Sequence, residues 1–267
     1  MIHIATVHWK TERWIPVQEA FLRRHLQSDY RVYAWLNYIP GAPRDSFYYT
    51  CSEAVDSHPV KLNILADIIL ASTSRDDDLL IFLDGDAFPV RDIRPLIQEN
   101  LPARKLLAVQ RLENTGDIQP HPCFCVTTVG FWREIRGDWN DGYLWKNARG
   151  KQVTDAGGNL MKQLNDRGVE WLPLLRTNRV NLHPLFFAVY GGVVYHHGAG
   201  FRKGECRVDD ANLKLHPRDA FLGKFVPGYR RRVRKKLWKQ TIANNDQLSE
   251  EIFQKIRQDP QFHVQFE

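Results

Sequence analysis

Leu79-Leu80-Ile81-Phe82-Leu83 runs without a polar break into Asp84-Gly85-Asp86. A short stretch that is apolar on both faces reads as a buried strand of a parallel sheet, where helices cover both sides. In open α/β sheets ligands sit outside the carboxyl ends of the strands, so two carboxylates fall where such a fold places its chemistry. Residues i and i+2 of a strand share a face, and Gly85 lets the chain turn. Asp84 and Asp86 can thus converge on one hard cation, Mg²⁺ or Mn²⁺, that holds a phosphate. The same tripeptide is also ordinary turn chemistry. Asp76-Asp77-Asp78, just upstream, reads as a solvated loop without function.

The surrounding pattern supports an α/β chain. Ile2 to Val7 reads as the first strand, and Trp14, Val17, Phe21 and Leu22 recur at helical spacing. Arg31 to Leu36 is a second strand rich in β-favouring residues. Leu62 to Leu70 is apolar nearly all round, as in a buried helix. Strand, helix, strand, helix, strand is the signature of a Rossmann-like half. Farther on, Lys105 to Gln110 and Thr127 to Trp132 read as strands, with Pro120-His121-Pro122 as loop between them. Gly137 to Gly150 reads as a flexible lid or an acceptor-facing loop, in which Trp139 or Trp145 could stack on a ligand ring or anchor the core. Asp155 precedes a helix through Leu164 and suits a cap. Val193 to His196 is a further strand, and the last forty residues read as helical and polar.

The 267 residues suffice for one large domain with a substantial core. No apolar run approaches the roughly 20 residues of a spanning helix, and the N-terminus lacks the basic and apolar regions of a signal peptide. Those features predict a cytoplasmic protein. The four cysteines are scattered, and Cys123-Phe124-Cys125 lacks the spacing of a zinc knuckle or a thioredoxin-like site. The net charge of +6 is uneven: Arg230 to Lys239 holds seven cations in ten residues, with Val233 and Leu237 four apart. Such a basic amphipathic helix suits peripheral contact with the inner membrane surface or an anionic substrate; it also suits a solvated tail. No nucleic-acid motif accompanies it, and no nucleic-acid partner is expected. The expected division is 1–224 as the catalytic domain and 225–267 as a basic helical extension.

A second chemical motif follows Gly191-Gly192-Val193-Val194, where Tyr195-His196-His197-Gly198-Ala199-Gly200-Phe201-Arg202-Lys203 delivers polar groups to a strand end. Histidine can ligate a metal, glycine admits close approach to a phosphate, and Lys203 offers a cation. With Asp84-Gly85-Asp86 at the end of its strand, the chain resembles the glycosyltransferases of the GT-A fold. Their hallmark is an Asp-x-Asp motif in that place. The later motif resembles the His-x-x-Gly-x-x-Lys element of the retaining, family 8-like members, here His197, Gly200 and Lys203. The Pro-Trp that follows the lysine in that family is Gly204-Glu205 in this chain.

The resemblance, covering about residues 1 to 205, implies a Rossmann-like mixed sheet flanked by helices, with a helical C-terminal tail. It implies transfer of a sugar from a nucleotide-diphosphate sugar, UDP-sugar favoured, to a glycan, lipid-linked or other hydroxyl acceptor, with retention favoured. Asp84, Asp86 and His197 would hold Mn²⁺ or Mg²⁺, and Gly200 and Lys203 would contact the diphosphate. Thr6, Val7 and His8 would meet the nucleotide base, while Lys61 and Asn63 would reach the ribose or diphosphate. Asp155 would bind the acceptor hydroxyl or accept its proton, unless it only caps its helix. His196 points away from His197 on a regular strand and reads as structural. Two other functions fit the same motifs: a nucleotidyltransferase of the same fold, and a non-catalytic sugar-nucleotide-binding domain. The former usually carries a Gly-rich loop after its first strand, whereas Val7-His8-Trp9-Lys10-Thr11-Glu12-Arg13 has no glycine.

Overall fold

A computed structural model describes residues 1–41, 44–198 and 215–267. The chain divides into two compact units, Met1–Gly198 with Pro260–Glu267, and Ala199–Asp259. The first is built on a seven-stranded sheet. In spatial order its strands are Leu172–Leu174 (β10), Leu106–Val109 (β6), His121–Thr128 (β7), Leu79–Asp84 (β4), Ile2–Trp9 (β1), Tyr30–Asn37 (β2) and Tyr49–Cys51 (β3). All pairings are parallel except those of β7, which runs antiparallel to both β4 and β6. A small second sheet joins Ala87–Pro89 (β5), Ala188–Tyr190 (β11) and Val194–His196 (β12), and Trp145–Lys146 (β8) pairs with Gln152–Val153 (β9). Helices Ile15–Leu26 (α1), His58–Ser72 (α2), Arg94–Arg104 (α3), Val129–Ile135 (α4) and Gly158–Asp166 (α5), with a short 3₁₀ helix at Phe262–Phe266, complete this unit. The fold is thus a mixed α/β sheet flanked by helices.

β4 shows why the sequence folds this way. Ile81 and Leu83 enter one core cluster with Leu22 and Leu26 of α1 and Ile97 and Leu101 of α3. Leu80 and Phe82 enter the other, with Leu62, Leu65 and Ile69 of α2 and Trp132 of α4. A strand with apolar residues at every position needs helices on both faces, and it has them.

Three local expectations are corrected. The strand placed at Thr127 to Trp132 lies earlier, over His121–Thr128, and the chain then enters α4, capped by the Thr128 hydroxyl on the Phe131 amide at 3.1 Å. Pro122 argued for a loop, but the pairing of β7 with β6 jumps register between Ala108 and Val109. A bulge of that kind is where a strand tolerates proline. The stretch around Trp139 and Trp145 is no open lid, since both rings are buried and Trp139 packs against Phe82 and Trp132. Finally, Asp78 is not a solvated loop residue. It is buried, and its carboxylate accepts from the Met1 amine (3.0 Å), His3 Nε2 (3.1 Å) and the Thr73 hydroxyl (3.0 Å).

Burial acts to raise the Asp78 pKa, but those hydrogen bonds outweigh it and hold the carboxyl at about 2. A depressed carboxyl stabilises the fold fully above its unfolded value near 4 and loses that contribution as pH falls through the folded value. Asp78→Asn is expected to cost about 2 kcal/mol at neutral pH. In urea unfolding the gap from wild type should narrow between about pH 4 and pH 2.

The second unit contributes helices Pro217–Phe225 (α6) and Tyr229–Gln258 (α7). Among the described residues, no helix is long and apolar enough to cross a membrane.

Candidate metal centre

The site forms where β4 ends. Asp84 closes the strand, Gly85 and Asp86 make the turn, and β5 leaves at Ala87. Two clasps fix that turn. The Gly85 amide donates to the Val7 carbonyl at 3.1 Å. Gln18, buried on α1, donates its side-chain amide to the Asp84 carbonyl (2.9 Å) and the Ala87 carbonyl (2.8 Å), and its Oε1 accepts from the Thr6 hydroxyl (3.2 Å). β12 runs antiparallel to β5 with His196 opposite Ala87. Beyond it the His197 amide donates to the Asp86 carbonyl and the Gly198 amide to Asp86 Oδ2, both at 3.1 Å.

The side chains then converge. Asp84, Asp86 and His196 offer ligand atoms that all lie within 4.8 Å of one another. His196 Nε2 is 3.5 Å from each carboxylate, and His58 Nε2, from the first turn of α2, is 3.0 Å from Asp84 Oδ1. Asp86 and His196 are buried, and the Asp84 side chain is 16% exposed. Burial would raise the Asp84 pKa, but His58 and His196 outweigh it and hold it below the usual carboxylate value. Burial works against a charged His196 ring, but Cys123 and Asp86 overcome it and push its pKa well up. Two carboxylates and one imidazole, drawn together out of water, form a donor set that fits Mn²⁺ or Mg²⁺. Loading the ion would displace the proton from His196.

The histidine is the one the sequence assigned to structure. Period-two geometry puts Tyr195 and His197 on one side of the strand and His196 on the other. The Tyr195 hydroxyl lies 2.9 Å from His197 Nδ1, and the His197 ring is fully buried against Trp14 (4.6 Å) and Phe187 (4.9 Å). His197 is therefore a core residue, and His196 faces the carboxylates. Gly200 and Lys203 lie outside the described residues.

The other expected residues separate into two groups. Val7 and His8 sit at the end of β1, next to the turn, with His8 buried and its pKa lowered to about 4 by desolvation. Lys61 is buried on α2 with its Nζ 5.5 Å from the Trp9 ring, and burial lowers its pKa against a partial offset from Asp56. Thr6 and Asn63 are engaged in the scaffold. The Thr6 hydroxyl is taken by Gln18. The Asn63 amide bridges Asp138 Oδ1 (2.7 Å) and the Trp139 amide (2.9 Å). Asp155 does not cap α5, whose N-cap is Gly157; its carboxylate pairs with Arg111 at 3.6 Å, and Arg111 also pairs with Asp117 at 3.4 Å.

His58, His121 and Gln18 were not singled out by the sequence. The His121 and His196 rings lie 6.2 Å apart, and burial, with Arg111 and His196 nearby, keeps His121 well below its ordinary pKa. His58 had a signal, because Ser57-His58-Pro59 opens a helix and crossover helices begin at the ligand edge of the sheet. Gln18 had none, because its partners are 66 and 69 residues away. Gln18→Leu strands two buried carbonyls. It is expected to cost about 2–4 kcal/mol in urea unfolding and to weaken Mn²⁺ binding about tenfold by titration.

No protein-family model and no curated protein matches the sequence. Solved structures match parts of it. The apo form of the glycosyltransferase GlyE of Streptococcus pneumoniae TIGR4 overlaps 49% of this chain and 35% of its own, at 16% identity and a TM-score of 0.36. The galactosyltransferase LgtC, in complex with donor and acceptor sugar analogues, overlaps 61% of this chain and 70% of its own, at 13% identity and a TM-score of 0.34. Mouse xyloside xylosyltransferase 1 overlaps 50% and 69%, at 12% identity and a TM-score of 0.31. All three are glycosyltransferases. The match spans about a third of the GlyE chain.

Proposed function

We propose that the chain is a metal-dependent glycosyltransferase of the GT-A fold, which moves a sugar from a nucleoside-diphosphate sugar, UDP-sugar favoured, to a hydroxyl acceptor. The observation that carries this reading is the convergence of Asp84, Asp86 and His196 at the carboxyl end of β4, beside the end of β1. Asp84, Asp86 and His196 would hold the divalent ion, with Mn²⁺ favoured by the imidazole. When bound, the ion supplies positive charge to the nucleoside diphosphate as it leaves.

The chain's own groups do the rest. His58 holds one Asp84 oxygen, and the Gly198 amide holds one Asp86 oxygen, so the carboxylates keep their orientation as substrate enters. Val7 and His8 would border the base. Lys61, desolvated and close to the Trp9 ring, would turn its ammonium to a donor phosphate. Asp155, steadied by Arg111, would take a hydrogen bond from the acceptor hydroxyl. Retention of configuration is the favoured outcome.

The test is a panel of UDP- and GDP-sugars incubated with and without Mn²⁺. Release of the nucleoside diphosphate that depends on Mn²⁺ and stops in EDTA is expected. Pyrophosphate release from a nucleoside triphosphate would assign a nucleotidyltransferase instead, and turnover indifferent to EDTA would remove the metal role.

A further inference from the structure

The positive charge of this chain has one address. Residues 217–239 hold nine Lys and Arg side chains against a single acid, Asp219, while the whole chain carries only +6, so everything else is slightly acidic taken together. The charge also stops abruptly along α7: from residue 240 to 258 three acids face two bases.

Local helix physics does not explain this concentration. The first turn of α7 contains Arg230, Arg231 and Arg232 and no acid, which sets cations at the positive end of the helix dipole. Arg230 and Arg234, Arg231 and Lys235, Arg232 and Lys236, and Lys235 and Lys239 are like charges four residues apart, a spacing at which side chains meet and repel. An anionic partner would turn each of these conflicts into an attraction.

The same segment exposes large apolar groups. Phe221, Phe225 and Val226 are 59%, 68% and 48% exposed, and the two phenyl rings pack together at 5.1 Å. The α6–α7 corner is held in shape by the Tyr229 hydroxyl on Asp219 Oδ1 (2.8 Å) and by Arg230 on the Ala220 carbonyl (3.1 Å). Trp238 is 39% exposed, and it follows Arg234 and Lys235 by one helical turn and Arg231 by two. It therefore lies within the basic surface, away from the half-buried Val233 and Leu237.

We propose that α6 and the first three turns of α7 are a docking surface for an anionic phospholipid membrane. The arginines and lysines contact headgroup phosphates, and Phe221, Phe225, Val226 and Trp238 seat at the acyl boundary. Charge alone would suit nucleic acid, but an exposed phenyl pair beside a dense basic helix matches an interface that is anionic outside and apolar just beneath. No helix among the described residues is long and apolar enough to span a bilayer. This surface stands independently of the transferase reading.

Full-length protein should be tested by flotation with vesicles of phosphatidylcholine alone and with about a third phosphatidylglycerol. The proposal expects partitioning onto the anionic vesicles at least about tenfold above the neutral ones, reversed by high salt. The double variant Phe221→Ser, Phe225→Ser removes two exposed rings and should lower anionic binding about tenfold. Arg231→Gln with Lys235→Gln should lower it further. Equal partitioning onto neutral and anionic vesicles would overturn the proposal. So would anionic binding that survives loss of both phenylalanines, which would leave a charge-only site suited to nucleic acid.

Discussion

Asp86→Asn is expected to lower Mn²⁺-dependent turnover of the donor by about a thousandfold or more while leaving a folded protein. The side chain is buried within reach of His196, its Oδ2 accepts the Gly198 amide, and its backbone carbonyl accepts the His197 amide. Asparagine retains the shape and can still accept from Gly198, so the backbone bonds survive. It loses the negative charge that binds a hard cation. It also leaves His196 without one of the groups that raise its pKa. The isosteric change thus separates ligand chemistry from folding. Equal thermal midpoints together with a large loss in kcat are the expected pair of readings, and unchanged turnover would contradict the metal site.

His196→Ala and His197→Ala should fail in different ways. His196 faces Asp84 and Asp86, so its loss should weaken Mn²⁺ about 10- to 100-fold in the folded protein, besides a stability cost of about 3–5 kcal/mol from leaving the two carboxylates without their imidazole. His197 lies between Trp14 and Phe187 and takes the Tyr195 hydroxyl. Its truncation leaves a cavity and an unpaired hydroxyl, which should cost about 2–4 kcal/mol. In the fraction that remains folded, Mn²⁺ affinity should be close to wild type. Urea unfolding and Mn²⁺ titration on both variants check the contrast, and the reverse pattern would restore His197 as the ligand.

That pair also marks what the sequence can and cannot specify. The apolar run of β4 and the two acids after it were legible because burial on both faces and a ligand at the strand's carboxyl end follow from local pattern. The choice between adjacent histidines was not, because one residue of register exchanges the two faces. The pairings of β12 with β5 and with β11 set that register. The strand at β7 was misplaced for a related reason: Pro122 is forbidden in a regular ladder and acceptable at a bulge that the sequence does not announce. Asp78 was misread as solvated and Gln18 was passed over because partners of both come from distant parts of the chain. The bridge from the Asn63 amide to Asp138 and Trp139 is likewise a contact across 75 residues or more. Short-range periodicity thus defined the layers, while the polar contacts between layers depended on tertiary register.

The central claim is that one imidazole, His196, completes a divalent-ion site with Asp84 and Asp86. Pulsed electron paramagnetic resonance of Mn²⁺ bound to the protein in the presence of UDP reads the ligand nitrogen directly. Nitrogen modulation from a directly coordinated imidazole is expected in the wild type and in His197→Ala, and its loss in His196→Ala. Modulation that persists without His196, or no protein-bound Mn²⁺ in the wild type, would contradict the account.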